Sequence, residues 1–374
     1  MNDLQKRTWA EVSLGNIEYN YGVVKSHLPE RTKILGIVKA DAYGHGAVEV
    51  AKLLEKCGAD YLAIACLDEA LELRRSGVTM PILILGHTPP EFVDIMLKND
   101  LTQTVSCEAK GIEYSEAAAS LGGTLKIHIK LDTGMSRLGF ICSGEHFDDG
   151  VKNLVSTCNL PNLDVEGVYT HFAVSDYCDE DSDAYTKAQF ELFMRVINAA
   201  EKQGVTFRLR HCSNSAAISR FPEMSLDMVR TGMVLYGFRD MMHYGLKPAM
   251  SMKSTVSTIK YLDEGTFVSY GRHYKTPKRI RMGVVPAGYA DGFPWAAAGK
   301  VKLFVESKYA PQCGNICMDM CMIDLSDIPE AHVGSEVEIF GENISVETLA
   351  AASGTIIEEI MCAITKRVPR VYIE

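Results

Sequence analysis

Eight short apolar runs alternate with amphipathic segments of helical period between about residues 30 and 237, and this rhythm constrains the fold more than any other feature of the chain. The runs are "KILGIVKA", "DYLAIAC", "PILILG", "LTQTVS", "LKIHIKLD", "VEGVYTHF", "FRLRHC" and "LDMVRTGMVLYG". Between them, "AVEVAKLLEKCG" and "LDEALELRRSG" each end in a glycine stop. "DAYTKAQFELFMRVINAAEKQG" carries an apolar stripe at three and four spacing before a glycine of its own. Strand then helix, repeated eight times in about 200 residues, is the arithmetic of an α/β chain folded as a (β/α)8 TIM-type barrel. A doubly wound open sheet is the alternative, but no GxGxxG follows the first run to support it.

After "YGF" at 236–238 the rhythm changes. "MSMKSTVSTIKYL", "GTFVSYG", "RIRMGVVPAGYADG", "KVKLFVES" and "VGSEVEIFG" read as successive strands, with one short helix, "SVETLAAAS", among them. The pattern predicts a barrel domain over 1–240, whose first residues could pair with the following domain, and a mostly β domain over 241–374.

Of the 374 residues, 47% are hydrophobic and 23% charged, which suits a substantial core and argues against long disordered tracts. A formal charge of −10 disfavours nucleic acid or an anionic membrane as main partner. The N-terminal stretch lacks the apolar core of a signal peptide, and no apolar run approaches bilayer-spanning length, so the chain as given reads as soluble and cytoplasmic. A fragment cut from a membrane-anchored parent would read the same way. Eleven cysteines, scattered without CxxC pairs and exemplified by Cys66 in "YLAIAC", predict buried, reduced thiols. No ligand set for a metal is visible.

In a barrel, chemistry gathers at the C-terminal ends of the strands. Lys39 ends the first run, "DTGMSRLGF" with Arg137 follows the fifth, His171 ends the sixth, "CSNSAA" follows the seventh and Arg230 lies in the eighth. Singly, each has a bland explanation, such as a solvated strand end, a hydrogen-bonded core histidine or an arginine paired with a loop carboxylate. Their agreement on one barrel face weakens those explanations. A lysine in a confined mouth suits Schiff-base chemistry, and the "NSAA" and "RTGM" turns offer a hydroxyl and backbone N–H groups for a phosphate. Together they suggest pyridoxal 5′-phosphate.

"VKADAYGHG", "KLDTGMSRLGF", "THFA", "HCSNSAA", "MVRTGMVLYG", "VSYG", "PAGYADG" and "CGNICMDMCMID" occur in this order, between "RTWAEV" near the start and "KRVPR" near the end. As a set they resemble the alanine racemase family, pyridoxal phosphate enzymes of fold type III. The resemblance implies that Lys39 holds the cofactor and serves as base on one face of the substrate carbon. Tyr43, Ser215 and the backbone N–H groups of Gly232 and Met233 would take the phosphate. Arg230 would face the pyridine nitrogen, with His171 linking it to the catalytic tyrosine. That tyrosine, Tyr270, would be the second base, contributed by the other subunit of a homodimer. Arg137 and the backbone N–H of Met318 would meet the substrate carboxylate with Asp319 beside it, Tyr289 would narrow the approach to the site, and Lys130 matches a position often carbamylated in the family.

One departure stands out: Lys366 occupies the place of the usual family tyrosine before "RVPR". An ammonium can still bind phosphate but alters the pocket near the substrate β-carbon. The resemblance therefore implies a racemase for the small amino acid alanine, supplying D-alanine for peptidoglycan. The racemase domain of a vancomycin-resistance serine racemase is the alternative. A non-catalytic pyridoxal phosphate carrier shares the barrel but lacks Tyr270 and the "CMDM" segment. Decarboxylases of this fold type use an acidic partner for the ring nitrogen where Arg230 stands here, and metal-assisted aldolases need ligands this chain does not offer.

Overall fold

A computed structural model describes residues 7–238 and 244–374. The domain boundary expected at 240/241 lies outside the described residues. The chain forms two compact units. One comprises Asn16–Ala42 and Ala47–Lys247; the other comprises the chain up to Gly15, the four residues Tyr43–Gly46, and Pro248–Glu374.

In the first unit each of the eight predicted runs is a strand: Lys33–Ile37, Tyr61–Ile64, Ile82–Ile84, Leu101–Val105, Leu125–Asp132, Leu163–Tyr169, Leu209–His211 and Met228–Thr231. Neighbours pair in parallel in chain order, and the eighth also pairs with the first. Backbone bonds from Asp227 N to Arg210 O (3.2 Å) and from Arg230 N to Ser213 O (3.0 Å) tie the eighth strand to the seventh, so the sheet returns on itself as a barrel. Strands covered on both faces read as continuous apolar runs, and Leu35, Leu62, Ile64, Ile82 and Ile84 are fully buried.

The barrel interior is unusually polar for a core. Gln103, His128, Lys130 and His211 are buried in the strands, and the Gln103 amide nitrogen donates to the carbonyls of Gly86 and Thr104, both at 2.8 Å. The longest helix, Glu180–Glu201, starts where Asp179 accepts from Ser182 N (2.9 Å), with three acidic residues in the first turn to complement the positive helix end. Its buried stripe, Thr186, Gln189, Phe193, Val196, Ile197 and Ala200, has the predicted spacing.

The second unit holds a six-stranded sheet in the order Lys308–Pro311, Lys302–Val305, Glu336–Phe340, Met250–Thr255, Thr8–Ser13 and Arg370–Ile373. A three-stranded sheet orders Thr258–Leu262, Ile280–Val285 and Cys321–Asp324, and Phe267–Val268 pairs with Tyr274–Lys275. The apolar run "MSMKSTVSTIKYL" is thus two strands in two sheets, broken at Val256–Ser257. A second helix, Ile357–Cys362, follows the expected one at Val346–Ser353; one and a half turns are too short to show a period in sequence.

The cysteine expectation needs correction. All eleven are free, but Cys66, Cys107, Cys178 and Cys362 are exposed. Cys66 lies beyond its strand, at the N-cap of helix Leu67–Arg75, where the apolar run has already left the core. No helix among the described residues is long and apolar enough to cross a membrane.

Leu35, fully buried in the first barrel strand, is a test of this core. Leu35→Ala should cost about 2–5 kcal/mol. The barrel contributes neither tryptophan, since Trp9 and Trp295 both belong to the other unit, so the loss should be read by far-ultraviolet circular dichroism during denaturant unfolding.

Candidate active site

Lys39 follows the first barrel strand, and the backbone beyond it takes an unusual course. Ala40, Asp41, Ala42 and Tyr43 all have φ between 51° and 54°, four consecutive residues in left-handed helical conformation. Such a conformation costs about 1–2 kcal/mol per residue for L-amino acids. Two carboxylates hold it. Glu69 accepts from Ala40 N (2.6 Å) and Ala65 N (2.7 Å), and Asp41 accepts from Ala47 N (2.8 Å). Neither acid was singled out in the sequence.

Arg230 is buried in the barrel and makes its bonds entirely to neutral acceptors. Nη2 reaches Thr170 O (2.9 Å), Cys212 O (2.9 Å) and His171 Nδ1 (3.0 Å); Nη1 reaches His211 O (3.1 Å) and His211 Nδ1 (3.2 Å). Since guanidinium only donates, both imidazoles accept through Nδ1 and carry their proton on Nε2. Burial draws the pKa of Arg230 down to about 10, still leaving it charged near neutrality. His171 is held neutral, its pKa pushed well below the ordinary value by burial and by the nearby cations Arg230, Lys130, Arg137 and Lys39. These five residues therefore share one electrostatic neighbourhood.

Lys130 is buried, and its Nζ has no hydrogen-bond partner. It sits 4.6 Å from the centroid of the Tyr169 ring, whose other neighbours include Arg230 and a stacked His211 at 4.8 Å. Burial, with Arg230 and Arg137 nearby, drives its pKa well below that of an ordinary lysine. The loop that carries Arg137 is fixed by Asp132, whose Oδ1 accepts from Gly134 N and Ser136 N, both at 3.0 Å. Arg137 itself is exposed.

Ser215 opens the short helix Ser215–Arg220, capped by Asn214 accepting from Ala217 N (3.0 Å). Its hydroxyl accepts from Gly232 N (3.1 Å), so the two predicted phosphate turns are adjacent, and Met233 begins the turn that follows.

The second unit carries the remaining predicted residues. Tyr270 is not on a strand, as a reading of "GTFVSYG" suggests, but in a tight turn where Ser269, Gly271 and Arg272 all have positive φ. Asn315 Nδ2 donates to Tyr270 O (2.9 Å) and Ser269 Oγ to Asn315 O (2.7 Å), so the turn is braced against the segment carrying Met318 and Asp319. Tyr289 N donates to Cys317 O and Ala290 N to Met318 O, both 3.0 Å. Tyr270, Tyr289, Met318 and Asp319 are thereby brought together, with Tyr270, Met318 and Asp319 lining a cavity of about 620 Å³.

Beneath Tyr289 lies a cluster missed in the sequence. Buried Asp291 is gripped by Arg7 (2.8 and 3.0 Å) and Arg367 (2.7 and 2.9 Å), and Arg367 also reaches Asp319 (2.9 Å). Lys366 is exposed and lines a separate small cleft with Arg7, Thr8 and Arg367. Tyr43 is partly buried, and burial raises its phenol pKa. Gly44 and Gly46 beside it are obligatory: a Cβ would fall 2.3 Å from Met361 O at the first and 1.9 Å from the Tyr372 hydroxyl at the second.

A parallel (β/α)8 barrel and a mostly β unit are the fold class that the sequence predicts. The family models for the alanine racemase N-terminal domain and C-terminal domain match residues 12–240 and 249–372. "Alanine racemase 1" of Clostridium acetobutylicum is 42% identical over 375 residues, covering 98% of this chain and 95% of the relative. The alanine racemase of Desulfovibrio desulfuricans is 41% identical over the full length of both. Among solved structures, alanine racemase of Clostridium difficile 630 superposes with a TM-score of 0.93 at 40% identity, over 98% of this chain and 96% of that one. The Bacillus anthracis enzyme with bound L-Ala-P gives 0.90 at 36% identity, over 99% and 95%. The chain belongs to the alanine racemase family.

Glu69→Ala removes one of the two carboxylates that hold the left-handed turn, the one that accepts from Ala40 N and Ala65 N. It should lower stability by about 1–3 kcal/mol. Hydrogen exchange should show faster opening at the amides of Ala40 and Ala65, with distant barrel amides little changed.

Proposed function

We propose that the protein is a pyridoxal 5′-phosphate-dependent racemase that interconverts L- and D-alanine, acts in the cytoplasm as a homodimer with shared active sites, and supplies D-alanine for peptidoglycan. The observation that carries this reading is the bonding of Arg230. Among the described residues all partners of its guanidinium are met through the two Nη atoms, which leaves Nε–H as the donor available to a ligand. With Lys39 at the strand end and Ser215 beside Gly232 N, the donor set fits the cofactor's aldehyde, ring nitrogen and phosphate.

When bound, the cofactor supplies an aldehyde for amine exchange and a conjugated ring that spreads the charge left when the α-proton departs. Lys39 would hold the aldehyde carbon and then accept or return the α-proton at Nζ. Tyr270, from the second copy, would do the same at its hydroxyl on the opposite face. Arg230 would donate to the ring nitrogen without surrendering its proton, leaving the ring a moderate electron sink and favouring return of the proton to the same carbon. Ser215, Tyr43 and the N–H groups of Gly232 and Met233 would hold the phosphate, with Lys366 contributing charge. Arg137, Met318 N and Asp319 would orient the substrate, and Tyr289 would narrow the approach.

The dimer is supported by exposed apolar side chains on the second unit: Tyr270 at 73%, Met318 at 52% and Tyr289 at 44%. So much grouped apolar surface is typical of an interaction site. The cytoplasmic reading is supported by eleven free cysteines. Lys366, in place of the family tyrosine, favours L-serine as a second substrate, tested by comparing turnover of both amino acids with that of Lys366→Tyr.

The purified enzyme should convert L-alanine to D-alanine and wash the α-hydrogen into deuterated water, and borohydride should fix the cofactor onto Lys39. Tyr270→Phe should keep the cofactor but lose at least about 100-fold in rate. No racemisation of either amino acid, or a Tyr270→Phe variant unchanged in every respect, would instead leave a cofactor carrier.

The unpartnered amine of Lys130, its pKa pushed well below the ordinary lysine value by burial and by two arginines, also suits carbamylation. The amine nitrogen bonds to the carbon of CO2, a proton leaves, and the resulting carbamate anion pairs with Arg137. Carbon-13 bicarbonate should give one protein-bound carbamate resonance that Lys130→Met abolishes; an unlabelled wild-type protein would contradict the assignment.

A further inference from the structure

The interior of the barrel contains a continuous line of hydrogen bonds that the racemase chemistry does not require. Tyr61 donates to Glu166 Oε1 (2.6 Å), Glu166 Oε2 meets His128 Nε2 (3.3 Å), His128 Nδ1 meets His211 Nε2 (3.0 Å), and His211 Nδ1 meets Arg230 Nη1 (3.2 Å). Tyr61 starts its strand and His211 ends its own, so the line runs from the N-terminal side of the barrel toward the mouth.

Its polarity is fixed from both ends. Arg230 can only donate, so His211 Nδ1 accepts and its proton resides on Nε2. That proton obliges His128 Nδ1 to accept, which puts the His128 proton on Nε2. There it faces a carboxylate, the one partner that needs it. Starting instead from Glu166 gives the same two tautomers. An added proton on either ring would set two donors against each other, so the line transmits polarisation and not protons.

The arrangement is built, not incidental. At Gly167 a Cβ would fall 2.7–2.9 Å from three atoms of the His128 ring, so only glycine leaves room for that imidazole. The register between strands Leu125–Asp132 and Leu163–Tyr169 shifts between Ile127 and His128, placing the ring over this gap. Tyr169 stacks on His211 at 4.8 Å with planes 9° apart. On the outer side, Arg208 pairs bidentately with Asp164 at 2.9 Å, leaving Glu166 to the histidine and Tyr61. Among the described residues Arg230 has no carboxylate within ion-pair distance of its own, although it is buried and charged.

We infer that Glu166 is the counter-charge of Arg230, a positioning residue that acts through two neutral imidazoles to hold the guanidinium in place and polarise its acceptors. The inference rests on the racemase reading only for what Arg230 does in turnover.

Nitrogen-15 NMR of histidine-labelled holoenzyme should show His128 and His211 as neutral Nε2–H tautomers from about pH 6 to pH 9. An Nδ1–H tautomer or an imidazolium at either residue overturns the proposal, whatever the activity. Correct tautomers in a protein that does not racemise would instead refute the functional reading alone. Glu166→Gln removes the charge while keeping a hydrogen-bonding side chain. It should shift the ring nitrogens of His211, which residue 166 does not touch, and lower kcat about tenfold with KM for alanine changed less than about twofold. Unchanged His211 resonances and unchanged kcat in a folded variant would overturn the proposal. If the variant does not fold, the wild-type tautomers still decide the matter.

Discussion

A guanidinium sealed inside a parallel barrel is the constraint around which the first unit is organised. Burying a charge is costly unless its donors are satisfied, and Arg230 meets that demand at both Nη atoms with three backbone carbonyls and two imidazoles. Those acceptors come from residues at or just beyond the C-terminal ends of the sixth and seventh strands, so the barrel must close before the arginine can be held. Burial, reinforced by this cation, keeps His171 neutral and lowers the pKa of the Lys130 amine, and the Tyr169–His211 stack lies beside the same guanidinium.

The second unit solves a different problem, that of presenting a phenol on an exposed turn without letting it wander. Tyr270 projects from a run of positive φ values braced by Asn315, and the neighbouring Tyr289 turn stands on Asp291 and its two arginines. Backbone strain and a buried charged cluster, both expensive, coincide at the turns that carry Tyr270 and Tyr289. Arg367 joins the two halves of this apparatus, since one guanidinium bonds both Asp291 and Asp319.

The eight strands were legible because each is a short apolar run closed by turn residues, and a barrel buries such runs on both faces. Lys39, Arg137, His171 and Arg230 were legible as charged or titratable groups placed where those runs end or loop over. Glu69 and Asp41 were not, because an acid in an amphipathic helix or a loop looks solvated until the left-handed turn it supports is known. His128 and Glu166 had a fainter signal: polar residues inside apolar strands, with Gly167 beside one of them to make space. Cys66 misled for the reverse reason, since its apolar neighbours end one residue before the chain turns outward. In the second unit, Cys321–Asp324 and Ile357–Cys362 were too short to carry a period, and Tyr270 read as strand because a strained turn has no apolar signature.

The central claim is that Arg230 is an immobile cation, engaged at both Nη atoms. Nitrogen-15 NMR of the arginine side chains in the intact protein examines this directly. The account predicts that the Nη protons of Arg230 appear as separate, slowly exchanging resonances, because both Nη atoms are held among fixed, buried acceptors. A single averaged, rapidly exchanging signal, like that of a surface arginine, would contradict it.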